Sequence, residues 1–351
     1  MIVNMEKLKE KIDAGLVNFQ KHSILPLNIY KYSQQCVFTG AWDEITLRCR
    51  GVVLDDEGNI VVNGFEKFFN HNEMAGLVEF EKRRDSMPYT VTEKMDGSLI
   101  QVALWNGELI VTSSGSFDSE QARKARHMIE AKGMKFEEGK TYLFEIIYPE
   151  NRIVLDYGDK ESLVLLAIMD TETGKEAVFD SGSCPLECVK EVHIGIPLIL
   201  DELKRADYIN KEGYIIRFED GHRVKMKYAE YMRLHKIVAG VNEKFVWEAL
   251  RDGVDLEQSL KGVPDELYDF VQKNTRALKT QFENFLARGV LAKNAIDPTA
   301  TRKEQAAYVM QNYKDISALV FQLLDGKPTT PTIWKMLKPE KITVSFGKGE
   351  I

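Results

Sequence analysis

The sequence predicts an α+β protein in two parts: an antiparallel-sheet domain over residues 1–240, then an all-α domain over residues 241–351. Three observations carry this. Up to about residue 228, short runs rich in Val, Ile, Phe, Tyr and Thr alternate with Asp-Gly and Glu-Gly-Asn turns, the pattern of strands joined by tight connections. From about residue 229 those signals fade and apolar residues recur at helical spacing. The 351 residues, 44% hydrophobic and 29% charged, suffice for about two domains with sizeable cores.

Taken in order, residues 1–22 read as an amphipathic helix, with Met5, Leu8, Ile12, Leu16 and Phe19 on one face. Residues 25–32 read extended. Residues 48–54 form a buried-strand pattern, closed by Asp55-Asp56-Glu57-Gly58-Asn59 and returned by Ile60-Val61-Val62. Phe65-Glu66-Lys67-Phe68-Phe69-Asn70 sets a lysine among three aromatics. That suits a base-stacking wall with a phosphate-seeking amine, or a core strand with one exposed lysine. Tyr89-Thr90-Val91-Thr92 is a strand, and residues 99–104, 108–113, 141–147 and 163–169 continue the sheet. Between them residues 119–132 are helical, with Ser119 as N-cap. Residues 200–206 suggest a short helix. Residues 212–218 and 223–227 form a hairpin about Asp220-Gly221. Beyond the boundary at Ala239-Gly240, residues 245–250, 265–288, 301–311 and 316–324 read as helices. Leu267, Phe270, Val271, Leu278, Phe282, Phe285 and Leu286 form a stripe, and a break is expected at Arg288-Gly289. The tail after Lys338 is expected to be loosely held.

Net charge is −7, which argues against a non-specific coat on nucleic acid but not against a local basic cleft, since 47 Lys and Arg are present. Cys36, Cys49, Cys184 and Cys188 contain no CxxC pair, so zinc is not expected and the thiols suit a reducing cytoplasm. No apolar run approaches the ~18–20 residues of a membrane span, and no signal-peptide pattern is present.

Glu93-Lys94-Met95-Asp96-Gly97-Ser98 is the chemical centre. Lys94 ends a strand, where its amine can enter a cleft and act as a nucleophile if its pKa is lowered. Asp96 shares its side of an extended backbone and can reach a sugar hydroxyl or hold the lysine. Gly97 would allow a positive φ. Lys225 and Lys227, two apart on a strand, point to one face. They suit an α-phosphate, and as like charges are expected to lower the pKa of Lys94. Glu212 opens the neighbouring strand and could accept from a ribose hydroxyl or hold hydrated Mg²⁺. Arg50 and Lys67 suit pyrophosphate or a terminal phosphate, and Glu145 ribose or metal. Singly, each of these charges also fits a solvated strand end.

In order, Lys94-x-Asp96-Gly97, Phe144-Glu145, Glu212-Gly213-Tyr214-Ile215 and Lys225-x-Lys227 resemble the motif set of covalent nucleotidyltransferases, which include polynucleotide ligases and mRNA capping enzymes. Ser98 after Asp-Gly is as in RNA ligases; DNA ligases and capping enzymes usually carry Arg where Leu99 stands. Cys49-Arg50-Gly51, Glu66-Lys67-Phe68-Phe69-Asn70, Gly115-Ser116, Ser119-Glu120-Gln121-Ala122, Asn151-Arg152-Ile153-Val154-Leu155 and His235 resemble the phage T4-type RNA ligase 1 family over about residues 28–236.

The resemblance implies a nucleotidyltransferase (adenylyltransferase) domain at 1–240 and a helical domain at 241–351 that helps choose RNA. It implies an ATP-dependent RNA ligase that joins 5′-phosphate to 3′-hydroxyl ends through lysyl-AMP and RNA-adenylate, with Mg²⁺ or Mn²⁺. Lys94 would carry AMP, and Asp96 and Gly97 belong to its motif. Tyr32 and Phe69 would line the nucleotide site, and Glu145 would bind ribose. Arg50 and Lys67 would contact phosphates, while Glu212, Lys225 and Lys227 would hold the α-phosphate and its metal. Tyr231 matches a required tyrosine and Asp255 a carboxylate implicated with a divalent ion. Thr112 and Ser114 stand where family members can have lysines, so a pyrophosphate-binding lysine is missing. Cleaved tRNA, an end-healing kinase-phosphatase and a monomeric state are family-level expectations. The alternatives are a non-catalytic RNA-binding module on this fold, and a DNA ligase or capping enzyme, which would add a β-barrel where this chain turns helical. A basic strip of Lys273, Arg276, Lys279 and Arg288 suits RNA or a solvated helix face.

Overall fold

A computed structural model of the chain describes residues 4–177, 184–204, 210–260, 263 and 265–339. It divides into two compact units, one running to Arg233 and the other beginning at Leu234. The first opens with α1 (Met5–Asp13), β1 (Val17–Lys21), β2 (Leu27–Tyr32), α2 (Gln34–Thr39), α3 (Glu44–Arg48), β3 (Arg50–Asp55), β4 (Ile60–Val62) and α4 (Met74–Arg83). It continues with β5 (Tyr89–Lys94), β6 (Ser98–Trp105), β7 (Glu108–Ser113), α5 (Glu120–Lys132), β8 (Lys140–Ile147), β9 (Ser162–Asp170), α6 (Ile196–Leu203), β10 (Gly213–Phe218) and β11 (Arg223–Lys227).

Three antiparallel sheets result, in the orders β1-β2-β3-β4, β11-β10-β5 and β7-β6-β8-β9. Side chains alternate between faces of a strand. Ala103 and Ile110 therefore meet Leu27, Ile29, Val53 and Val62 of the first sheet, while Ile100, Val102, Val111 and Phe144 take the other face under Ala125 and Ile129 of α5. Ser119 caps α5 by accepting from Ala122 N–H, as its sequence position predicts.

The remaining elements are α7 (Ala229–Gly240), which crosses the division at Arg233, α8 (Glu243–Asp252), α9 (Leu256–Ser259), α10 (Asp265–Asn294), α11 (Arg302–Asn312), α12 (Ser317–Leu324) and α13 (Thr330–Met336). In the second unit Leu278, Phe282, Phe285 and Leu286 of α10 pack on Trp247, Leu319, Ile333 and Trp334. Among the described residues no helix is long and apolar enough to cross a membrane.

Several expectations are corrected. The first helix stops at Asp13: Gly15 takes φ +71°, and Val17–Lys21 pairs with β2, so strand pairing replaces the expected helical stripe at Leu16 and Phe19 and leaves Phe19 exposed. Residues 65–70 form no strand of the sheets; the run is held by Lys67 N–H to Leu47 O and Lys225 N–H to Phe69 O. The expected short helix begins earlier, at Ile196; residues 205 and 206 lie outside the described ones. No break occurs at Arg288-Gly289. α10 runs to Asn294, and Gly289 lets α12 approach, since a Cβ there would meet Leu319 Cδ2 at 2.9 Å. The tail beyond residue 339 lies outside the described residues.

Candidate active site

β5, β10 and β11 build the floor. Their register sets Lys94 beside Gly213, and Gly213 beside Lys227. Val224 and Met226 go to the core, so Arg223, Lys225 and Lys227 share the opposite face. Gly213 is required between the two lysines: its φ is +148°, and a Cβ would stand 2.0 Å from Met226 O.

Glu212 is the hub. It is 2% exposed, and its two carboxylate oxygens each accept from an ammonium, Lys94 Nζ at 2.9 Å and Lys227 Nζ at 2.9 Å. Burial pushes its pKa up, but the two cations outweigh that and hold it below its ordinary value. Glu145 reaches over from β8 and accepts from Gly97 N–H at 3.1 Å. Burial raises its pKa to about 7, against the pull of Lys94.

The expected depression of the Lys94 pKa is not found. Burial does pull it down, but Glu212, Glu145 and Asp96 outweigh burial and hold it above its ordinary value. Lys225 is the amine held well below, by burial and then by Arg50, Lys94, Lys67 and Lys227. Cations surround Lys225 and carboxylates surround Lys94, an arrangement that two lysines at i and i+2 do not disclose.

Asp96 acts on Lys94 through its charge, while its oxygens accept from other donors. It is 4% exposed; one oxygen accepts from Val154 and Leu155 N–H at 2.9 and 2.8 Å, the other from Tyr231 O–H at 2.7 Å. Its own N–H donates to Tyr157 Oη at 3.0 Å. It is a positioning residue that ties the Lys94 turn to the loop after β8 and to α7. Gly97 needs no positive φ. It is glycine for proximity, because a Cβ would lie 2.4 Å from Ile146 O.

Lys67 lies in an aromatic box, its Nζ 5.0 Å from the ring centre of Phe69, 5.7 Å from Trp42 and 5.9 Å from Tyr32. Sequence reasoning missed Trp42, although Asp43-x-x-Thr46 marks the capping box that fixes it there. Arg50 lies over Phe68 at 5.3 Å and Lys225 over the same ring at 4.8 Å. Thr112 and Ser114 are buried, and Lys31 is the cation beside them: a Cβ on Gly115 would meet its Cδ at 2.4 Å. Asp255 lies in the second unit, just before α9, where its carbonyl accepts from Ser259. Among the described residues no three His, Cys, Asp or Glu gather as a metal cage.

Residues 48–192, which hold Arg50, Lys67, Lys94, Asp96 and Glu145, match the family model described as RNA ligase. Over this segment the chain resembles the T4-type RNA ligase family. A Thermovibrio ammonificans protein assigned by name as an RNA ligase is 30% identical over 184 residues, 50% of this chain and 47% of that protein. RNA ligase 1 of bacteriophage TS2126 is 31% identical over 142 residues, 36% of this chain and 35% of that protein. A protein of Autographa californica nuclear polyhedrosis virus, assigned by name as a bifunctional polynucleotide kinase/RNA ligase, is 25% identical over 48% of this chain and 27% of its own length. The chain thus spans less than half the length of each of these relatives. An archaeal ATP-dependent RNA ligase structure overlaps 93% of this chain and 96% of its own at 12% identity, with a TM-score of 0.47. Of the family's motif residues, Glu212, Lys225, Lys227 and Tyr231 fall beyond the matched segment, and the sheet brings the first three to Lys94.

Proposed function

We propose that this chain is an ATP-dependent RNA ligase that works through Lys94. The observation that carries the reading is the buried Lys94–Glu212–Lys227 cluster beside Glu145, with Lys225 and Arg50 along the same cleft. Glu212 and Glu145 hold Lys94 as an ammonium, so it first gives a proton to water; the neutral amine then attacks the α-phosphorus of ATP, an N–P bond forms as the nitrogen loses a second proton to water, the bond to the β-phosphate oxygen breaks, and pyrophosphate leaves. A 5′-phosphate oxygen of RNA then takes the AMP from Lys94. Finally a 3′-hydroxyl attacks that 5′-phosphorus, and AMP leaves.

Lys227, Lys225 and Arg50 oppose the charge that grows on the phosphate oxygens. A triphosphate would bring Lys225 an anion to offset the surrounding cations. Tyr32, Trp42 and Phe69 offer aromatic surface to the base, and Glu145 offers a ribose acceptor. A fully protein-held Mg²⁺ does not fit, because both oxygens of Glu212 are taken. Glu145 is the carboxylate that would hold a hydrated ion, which when bound would neutralise phosphate charge. The kinase named in the viral relative supports a kinase as the source of 5′-phosphate ends. Four free thiols support a cytoplasmic setting, and cleaved tRNA as substrate and a monomeric state complete the proposal.

Incubation with α-labelled ATP should leave label on the denatured protein, lost with Lys94→Ala and reduced at least tenfold with Lys227→Ala. Absence of label on the wild-type protein, or full label on Lys94→Ala, defeats the reading.

A further inference from the structure

The face that carries Lys94 continues past the nucleotide. Lys94, Gly213 and Lys227 form its first row, Ile215 and Lys225 the second, and Arg217 paired with Arg223 the third. Strand rise puts the third row about 13 Å from the first, too far along for a group bonded at Lys94 to need it. There a cavity of about 640 Å³ opens between the β10–β11 turn, residues 63–68 and the turn after β9. Arg223 and Arg217 both donate to one carboxylate, Glu176, and Arg223 also lies 4.3 Å over the Phe65 ring. Lys175 stands on the same rim, exposed. Six Lys and Arg against four Asp and Glu leave the lining net positive, around a pair of guanidiniums on one carboxylate where Arg223 is 11% and Glu176 14% exposed. A phosphodiester, a monoanion, suits this modest excess.

We propose that this cavity binds a backbone phosphodiester of the 5′-phosphorylated RNA strand. The inference rests on the ligase reading, and in-line displacement gives the direction. Pyrophosphate leaves the α-phosphorus opposite Lys94, and the 5′-phosphate that later expels Lys94 must attack from that same side. The strand behind it therefore lies outward along the cation rows, past Lys225 and Arg50, to Arg223 and Arg217.

The test measures affinity for a 5′-phosphorylated single-stranded RNA by fluorescence anisotropy across a salt series, with stability followed by circular dichroism. Arg217→Ala should weaken binding about tenfold and flatten the logarithmic salt slope by about 0.7; Lys175→Ala, at an exposed side chain, should do the same more mildly. Glu176→Gln should tighten binding. A tether that merely fixes the turn predicts the opposite for Glu176→Gln, so weakening there, or no change in any of the three, overturns the proposal. A defect confined to pyrophosphate-driven loss of AMP from the labelled protein would also overturn it, by assigning the cavity to the leaving group. RNA affinity is read without ATP, so a protein that fails to take up AMP defeats the ligase reading and leaves this measurement standing.

Discussion

Glu145 carries the electrostatic cost of its burial. Burial raises its pKa to about 7, whereas a glutamate in an unfolded chain titrates near 4.3. Between those values the folded form binds the extra proton, so this group's contribution to stability falls as pH rises and is lowest above 7. Glu145→Gln imitates the protonated form and keeps an acceptor for Gly97 N–H. It is expected to raise the stability of the nucleotide-free protein by about 1–3 kcal/mol at pH 8 and to change little at pH 4.5. Denaturant unfolding at the two pH values checks this, and equal shifts at both would refute it. Glu212 has the opposite sign. Its pKa is held down, so its support is present above the unfolded value and fades as pH falls below the folded one.

At the scale of elements, the β5–β6 turn meets β8 without room for a side chain. A Cβ on Gly97 would stand 2.4 Å from Ile146 O and 3.1 Å from Glu145 Cγ. Gly97→Ala must part the Lys94 turn from β8. It is expected to cost about 1–3 kcal/mol and to slow AMP transfer to Lys94 at least tenfold. Gly240→Ala, where a Cβ meets nothing within 4 Å, is the control and should be neutral or slightly stabilising. Thermal unfolding and the labelling rate measure both; two variants alike in both readouts would refute the packing argument. The sequence disclosed the strands that build this corner, because alternation and the Asp220-Gly221 turn are local signals. It did not disclose the end of α1, which pairing with β2 decides, nor the continuity of α10 through Gly289, which packing against Leu319 decides. Lys94, Glu145, Glu212, Lys225 and Lys227 were legible as an ordered set. Their charge states were not, since these depend on which strand ends the fold sets side by side. Trp42 escaped for the same reason: its partners Tyr32 and Phe69 come from distant segments.

Over the whole molecule, the two units divide the charge differently. The first gathers Lys94, Lys225, Lys227 and Arg50 about one cleft. In the second, Lys273, Arg276 and Lys279 stand exposed at three-residue spacing on α10, whereas Arg288 pairs with Asp315 at 2.7 Å. Residues three apart on a helix lie on neighbouring parts of one face, so the three form a short positive strip. If that strip touches RNA, replacing all three by Ala removes up to three phosphate contacts. The logarithmic salt dependence of RNA binding should then flatten by about 2, and the KM for RNA in ligation should rise roughly tenfold near physiological salt. Transfer of AMP from ATP to Lys94, which involves no RNA, should keep its rate. An RNA KM and salt slope equal to those of the wild type would make the strip an ordinary solvated helix face and shift the choice of RNA to other surfaces of the chain.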